Sequence, residues 1–242
     1  MKTKKIIINF VTFFSYFIYE YLLIAIFQVI NLDFYKLDVS GRILFLSITN
    51  LAFIIFLFFI YKKELKEDWK DFLINKKKYL KKYFTYYMVG VILMGISNII
   101  IQSITNTSIS GNEETVRSYI KLFPIYMSFS SIIYAPFVEE MIFRKSIKNI
   151  INNKYLFIFL SGVIFGALHI TDYSDVNQIL LGIPYIIMGL DFAYIYYKTN
   201  NIFTTMTFHI IHNFILLTIQ LIGGLLWKNK IKNIIILEPL SL

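Results

Sequence analysis

Runs of roughly 20 apolar residues recur along this 242-residue chain, at 6–30, 43–61, 83–105, 124–147, 155–170, 179–197 and 202–226, with short charged stretches between them. A run of that length crosses a hydrocarbon layer of about 30 Å as an α-helix. In lipid the backbone must satisfy its own hydrogen bonds, so helix is the form these runs are expected to take. The predicted fold is therefore all-α: a polytopic transmembrane helix bundle of about seven to eight spans, forming a single membrane domain over residues 1–242. Composition agrees, because 57% of residues are hydrophobic, only 16% are charged and the mean hydropathy is +0.63, which is too little polar surface to clothe a soluble core. The first run follows Lys2, Lys4 and Lys5 but is long for a cleaved leader and has no small-residue cleavage site, so it reads as a retained helix.

Charge sets the expected orientation. With the N-terminus inside, the inner segments hold Lys2, Lys4 and Lys5, nine lysines from Lys62 to Lys82, and then Arg144, Lys145, Lys148, Lys154 and Lys198. The outer loops hold only Lys36, Arg42, Arg117 and Lys121. That asymmetry predicts a multi-pass protein of the cell membrane with a cytoplasmic N-terminus. Lys228, Lys230 and Lys232 sit awkwardly on the outer side of this scheme, and a missed or re-entrant helix would account for them. The net charge of +9 reads as contact with lipid headgroups, not nucleic acid, because the lysines flank apolar spans and form no separate basic domain. The stretch 62–82, with Trp69, Phe72, Leu73 and Tyr79 among its lysines, reads either as an interfacial segment or as a plain charged connector. The chain has no cysteine, which removes disulfides, thiolate zinc ligands and thiol nucleophiles from consideration.

Charged groups inside spans cost several kcal/mol unless paired or facing a cavity, so each is a functional candidate. The set is Glu20, Glu139, Glu140, His169, Asp191, His209 and His212. At about 1.5 Å per residue, Glu139 lies roughly 12 to 15 Å from the inner boundary and His209 about 10 to 12 Å, while Asn213 and His169 lie about 17 and 22 Å from it. These levels overlap, so the fourth, fifth and seventh helices can share one polar site. On an ideal helix Glu139 and Glu140 point about 100° apart. Glu140 precedes Arg144 by four residues, the favourable order for an ion pair, which leaves Glu139 free for chemistry. Pro136 is expected to bend the helix just before the glutamates. Gly162 and Gly166 would let a neighbouring helix approach closely. His209 and Asn213 share a face and could aim two donors at one point. Taken singly, each feature has a structural explanation: a helix-end salt bridge, an interfacial histidine, or polar glue between helices.

Taken together, Glu139-Glu140-x-x-x-Arg144, Phe165-x-x-x-His169 and His209-x-x-x-Asn213 resemble the three ordered motifs of the CAAX-type intramembrane protease family, which includes prenyl endopeptidases and bacterial Abi-type, bacteriocin-processing and self-immunity proteins. The resemblance covers roughly 124–216, which would be the catalytic core. It implies that Glu139 with His169 activates a water, that His209 and Asn213 donate to the oxyanion, and that Glu140 and Arg144 support them. It implies no cofactor and a metal-independent glutamate mechanism; the chain has no H-E-x-x-H, and catalytic zinc is not expected. The expected partners are the lipid bilayer and a peptide or membrane-associated protein, cut near the inner half of the membrane. Glu20, Asp191 and His212 receive no role. Two other classes compete: a non-catalytic regulator or bacteriocin immunity protein of the same fold, and a proton-coupled transporter, against which the lack of internal repeats counts.

Overall fold

The computed structural model describes residues 2–29, 36–107 and 109–237, and the side chains of residues 2, 20, 23, 24, 27 and 224–237 lie outside the described set. Among the described residues there are ten α-helices and two π-helical segments and no strand. They are α1 (Lys2–Val29), α2 (Val39–Thr105), α3 (Gly111–Leu122), α4 (Pro124–Phe129), α5 (Ala135–Glu139), α6 (Ile147–Ile150), α7 (Lys154–Ala167), α8 (Val176–Leu180), α9 (Ile183–Thr199) and α10 (Ile202–Leu237). The helix ends follow local chemistry. Side chains of Asp38, Ser110, Asn153 and Asp175 accept from the first free N–H groups of α2, α3, α7 and α8. Asn106 and Asn200 close α2 and α9 in the left-handed conformation, and Pro124 and Pro184 sit in first turns, where a missing N–H is tolerated.

Large apolar side chains cover the exterior, and several charged and polar ones are buried within the apolar core. Asn9, Thr12, Glu140, Arg144 and Ser161 are buried, while Phe59, Ile99 and Ile104 are each at least 66% exposed. An apolar exterior, with charged groups kept inside, is what a lipid solvent selects. Val39–Thr105, Val176–Thr199 and Ile202–Gly223 are each long and apolar enough to cross a membrane. The fold is thus a polytopic transmembrane helix bundle.

Two expected spans, 43–61 and 83–105, belong to one continuous 67-residue helix, α2, which would be about 100 Å long if straight. Its contacts show that it turns back on itself. Asn50 donates to the Tyr126 hydroxyl at 3.1 Å and Asp68 meets Lys145 at 2.5 Å, so its first half descends beside the chain from α4 to α6. Beyond that, Phe72 touches Phe203 and Tyr87 stacks on Phe208, so its second half rises beside α10. The lysine-rich stretch 62–82 is the helical elbow between these halves. Asn201 pins the elbow by donating to the Asp68 carbonyl at 2.7 Å and to Asp71 at 2.8 Å.

The tightest helix pair is α7 with α9. A Cβ on Gly162 would lie 2.7 Å from the Leu190 backbone nitrogen, and one on Gly166 would lie 2.6 Å from that of Ile186. Only glycine admits this approach, which brings Phe165 and His169 against α9. α10 continues unbroken to Leu237, so no re-entrant element intervenes before Lys228, Lys230 and Lys232, whose side chains lie outside the described set.

Candidate active site

The chain from α4 to α6 is not the plain kinked α-helix expected from its sequence. It runs continuously from 124 to 150 but widens twice into π-helix, over Ser130–Tyr134 and over Glu140–Ser146. Pro136 supplies the physical reason for the first widening. Ala135 donates its N–H to the carbonyl of Ser130, five residues back. In that register the next carbonyl, Ser131, faces Pro136, which has no N–H to offer. The carboxamide of Asn213 takes its place and donates from Nδ2 to the Ser131 oxygen at 2.9 Å. The proline therefore opens a backbone acceptor that fastens α10 to the helix carrying the glutamates. π-helical segments of this kind occur frequently at functional sites.

In the second π-helix every residue from Glu140 to Ser146 is buried. Ser161 of α7 donates to the Phe143 carbonyl at 2.7 Å, and Ser146 bonds the carbonyl of Ile142. The Glu140 carboxylate is fully buried: one oxygen accepts from His209 Nδ1 at 2.9 Å and the other lies 3.4 Å from Arg144 Nε. Arg144 is itself fully buried, its guanidinium 4.5 Å from the Phe165 ring centre and 5.6 Å from that of Phe192. Neither terminal nitrogen of Arg144 has a hydrogen-bond partner among the described residues.

His209 joins the two glutamates. Its Nδ1 is held by Glu140, and its Nε2 points toward Glu139 at 3.7 Å. Glu139 is the wetter of the pair, with its side chain 17% exposed against 0% for Glu140. A cavity of about 870 Å³ lies in front of it, lined by Glu139, His169, His209 and Asn213 together with His212. His169 is oriented by its own helix: Nδ1 lies 2.9 Å from the Phe165 carbonyl, and the ring stacks on Tyr185 at 4.3 Å. A carbonyl only accepts, so Nδ1 carries the hydrogen, and in the neutral ring Nε2 keeps its lone pair.

The structure thus gathers Glu139, His169, His209 and Asn213 around one cavity and places Glu140 and Arg144 behind it. His212 also lines the cavity, set edge-on to Tyr87 and Phe192. Asp191 does not line the cavity; it lies against Gly90 within electrostatic range of Arg144, and one of its carboxylate oxygens has no hydrogen-bond partner among the described residues. The side chain of Glu20 lies outside the described set. Sequence reasoning missed the Ser131 carbonyl and the Tyr185 ring. The first is a backbone atom with no signature of its own, although Pro136 five residues later is the cue that its donor is lost. Among the described residues no group of three or more His, Asp or Glu converges as a set of metal ligands.

Residues 121–215 match the family model described as Type II CAAX prenyl endopeptidase Rce1-like. A curated protein of Bacillus subtilis (strain 168), named "Putative membrane peptidase YdiL", is 34% identical over 115 residues, covering 46% of this chain and 44% of that protein. The chain therefore spans less than half the length of this relative. No solved structure matches the chain. The resemblance to the CAAX-type intramembrane protease family is accordingly established over residues 121–215, the stretch that supplies Glu139, Glu140, Arg144, His169, His209 and Asn213.

Proposed function

We propose that this chain is an intramembrane peptidase that hydrolyses a peptide bond in its 870 Å³ cavity with a water activated by Glu139. The observation that carries the reading is the position of His209, held by Glu140 through one nitrogen while the other faces Glu139 at 3.7 Å. In the proposed cycle a water enters between Glu139 and His169 and gives a proton to the Glu139 carboxylate, with the lone pair on His169 Nε2 orienting it. The hydroxide oxygen bonds to the scissile carbonyl carbon, and the carbonyl π electrons move onto oxygen. His209 Nε2–H and the second N–H of Asn213 donate to that oxyanion. When the intermediate collapses, the carbon–nitrogen bond breaks and Glu139 returns its proton to the leaving amine.

Charge balance supports these roles. Because Glu140 fixes the Nδ1–H of His209, the Nε2 nitrogen is a donor only in the imidazolium form. In that form His209 and Arg144 lie against Glu139 and Glu140, with Asp191 also within electrostatic range of Arg144. Unpaired charge in a low-dielectric interior is costly, so an intact cluster is the stable one. Asn213 also fits its role, since its bond to the Ser131 carbonyl uses one N–H and fixes the direction of the other. No cofactor or metal takes part in this reading, and the host would be the cell membrane with the N-terminus inside.

The test compares the membrane proteome and secreted peptides of cells carrying the wild-type chain or Glu139→Gln at equal abundance. The expected result is one or more fragments lost in the variant, with their uncut precursors retained. Identical fragment sets in the two strains would remove the peptidase assignment and favour the non-catalytic reading.

A further inference from the structure

The cavity is one-sided. On the chain from α4 to α6, every lining residue is at Glu139 or before it, beginning at Met127; on α10, every one is at His209 or beyond it, out to Gln220. On α2 the lining starts at Met94 and continues through Asn98 to Gln102, past the elbow and toward α3. Below Glu139 and His209 the interior is closed. Asn201, Thr204 and Thr205 are each at most 1% exposed, and Lys145 is tied to Asp68 beneath them. The aromatic cluster of Trp69, Phe72 and Phe203 covers the same end. The glutamate site thus connects with the α3 end of the bundle and is sealed at the elbow that carries nine lysines from Lys62 to Lys82.

The walls of the vestibule have their own chemistry. Its charged side chains cancel, because Arg117 donates to Glu113 at 2.8 Å and Gln220 donates to the same carboxylate oxygen at 2.7 Å. What remains for a visitor is carboxamide: Asn98, Gln102 and Asn112 line the passage. The Gln220 oxygen is buried and has no hydrogen-bond partner among the described residues. An array of amide donors and acceptors without net charge matches the repeating N–H and C=O of an extended backbone and selects weakly among side chains.

We infer that substrate reaches Glu139 from the face of the membrane opposite the lysine-rich elbow, as an extended peptide segment presented at the outer surface. The inference deepens the peptidase reading and rests on it for the word substrate; the access route stands on geometry and charge alone. The scissile bond is then cut deep in the bundle, toward the inner half, although the entrance is on the other side. Lysines mark the cytoplasmic ends of spans, and the sealed end carries them.

The absence of cysteine from the chain makes a direct test possible, because any introduced thiol is the sole one. Ala135→Cys places a thiol deep in the cavity beside Glu139, Gln102→Cys places one in the vestibule, and Lys77→Cys marks the elbow. Each full-length variant is exposed to a charged, membrane-impermeant methanethiosulfonate, on intact spheroplasts and separately on inverted membrane vesicles. Remaining thiols are then counted by a maleimide gel shift. Ala135→Cys and Gln102→Cys are expected to be blocked at least tenfold faster in spheroplasts than in inverted vesicles, and Lys77→Cys the reverse. Blocking of Ala135→Cys from the same side as Lys77→Cys, or from neither side while Gln102→Cys reacts, overturns the inference. So does labelling of Gln102→Cys from the elbow side, which guards against a misfolded Ala135 variant. Labelling needs no turnover, so loss of the peptidase assignment would leave these results standing, and the wrong labelling side would leave the assignment standing.

Discussion

Arg144→Met removes a fully buried cation whose nearest acid, Glu140, is also fully buried. Glu140 then loses the neighbour 3.4 Å from its second oxygen and keeps its bond to His209 Nδ1. Breaking a buried pair by deleting one partner costs about 3 to 5 kcal/mol. The guanidinium's contacts with the Phe165 and Phe192 rings are replaced by the methionine sulfur's own ring contacts, so the broken pair sets the scale. At about 2 to 4 °C per kcal/mol for a chain of this size, a loss of 3 to 5 kcal/mol lowers the midpoint of thermal unfolding by roughly 6 to 20 °C. The double variant Glu140→Gln/Arg144→Met removes both charges, with the new carboxamide oxygen still able to accept from His209 Nδ1. Replacing a whole buried pair is often neutral or stabilising, so the double variant is expected to recover most of the single variant's loss. The assay is the fraction of detergent-solubilised protein that stays monodisperse on size exclusion after heating. A double variant as unstable as Arg144→Met, or a single variant within about 2 °C of wild type, would refute the charge-balance argument.

Three further substitutions test particular contacts. Asn213→Ala leaves the Ser131 carbonyl without its donor and should cost about 1 to 3 kcal/mol in the same heating assay. It should also slow cleavage about 10²- to 10³-fold, and an active variant that loses only stability would restrict Asn213 to a structural role. Gly166→Leu forces a side chain into the Ile186 backbone and should disperse α7 from α9, with a loss of about 1 to 3 kcal/mol or failure to accumulate; normal thermal behaviour would contradict the close helix approach. His169→Phe keeps the stacking on Tyr185 but removes the Nε2 lone pair, so turnover should drop about 10²- to 10⁴-fold with little change in unfolding midpoint. Undiminished turnover there would take His169 out of the chemistry.

Much of this arrangement is legible in the sequence, and the reasons differ by feature. The bundle is readable because lipid admits one backbone solution, and the runs from 6–30 to 202–226 declare it by length. Glu139, His169 and His209 are readable because charge and imidazole are scarce in such runs, and Asn213 because it follows His209 by four residues on the same helix face. Hydropathy could not show that α2 is a single bent helix, since a charged connector and a charged helical elbow have the same composition. It also could not show the π-helical segments, which depend on which carbonyl is left without a donor once Pro136 interrupts the ladder. The ideal-helix reading separates the two glutamates by direction; the structure separates them by environment, with Glu140 sealed against Arg144 and Glu139 facing the cavity. Their meeting at opposite nitrogens of His209 is a tertiary fact that no spacing along the chain encodes.

The central claim is that Glu139 is the base in a hydrolytic cavity inside the membrane. Its most direct measurement is cleavage of a defined mixture of apolar peptides by the purified chain in liposomes, comparing wild type with Glu139→Gln and reading new termini by mass spectrometry. New termini are expected with the wild type, and a loss of about 10²-fold or more in Glu139→Gln, which keeps its wild-type unfolding midpoint. Equal cleavage by both proteins would contradict it.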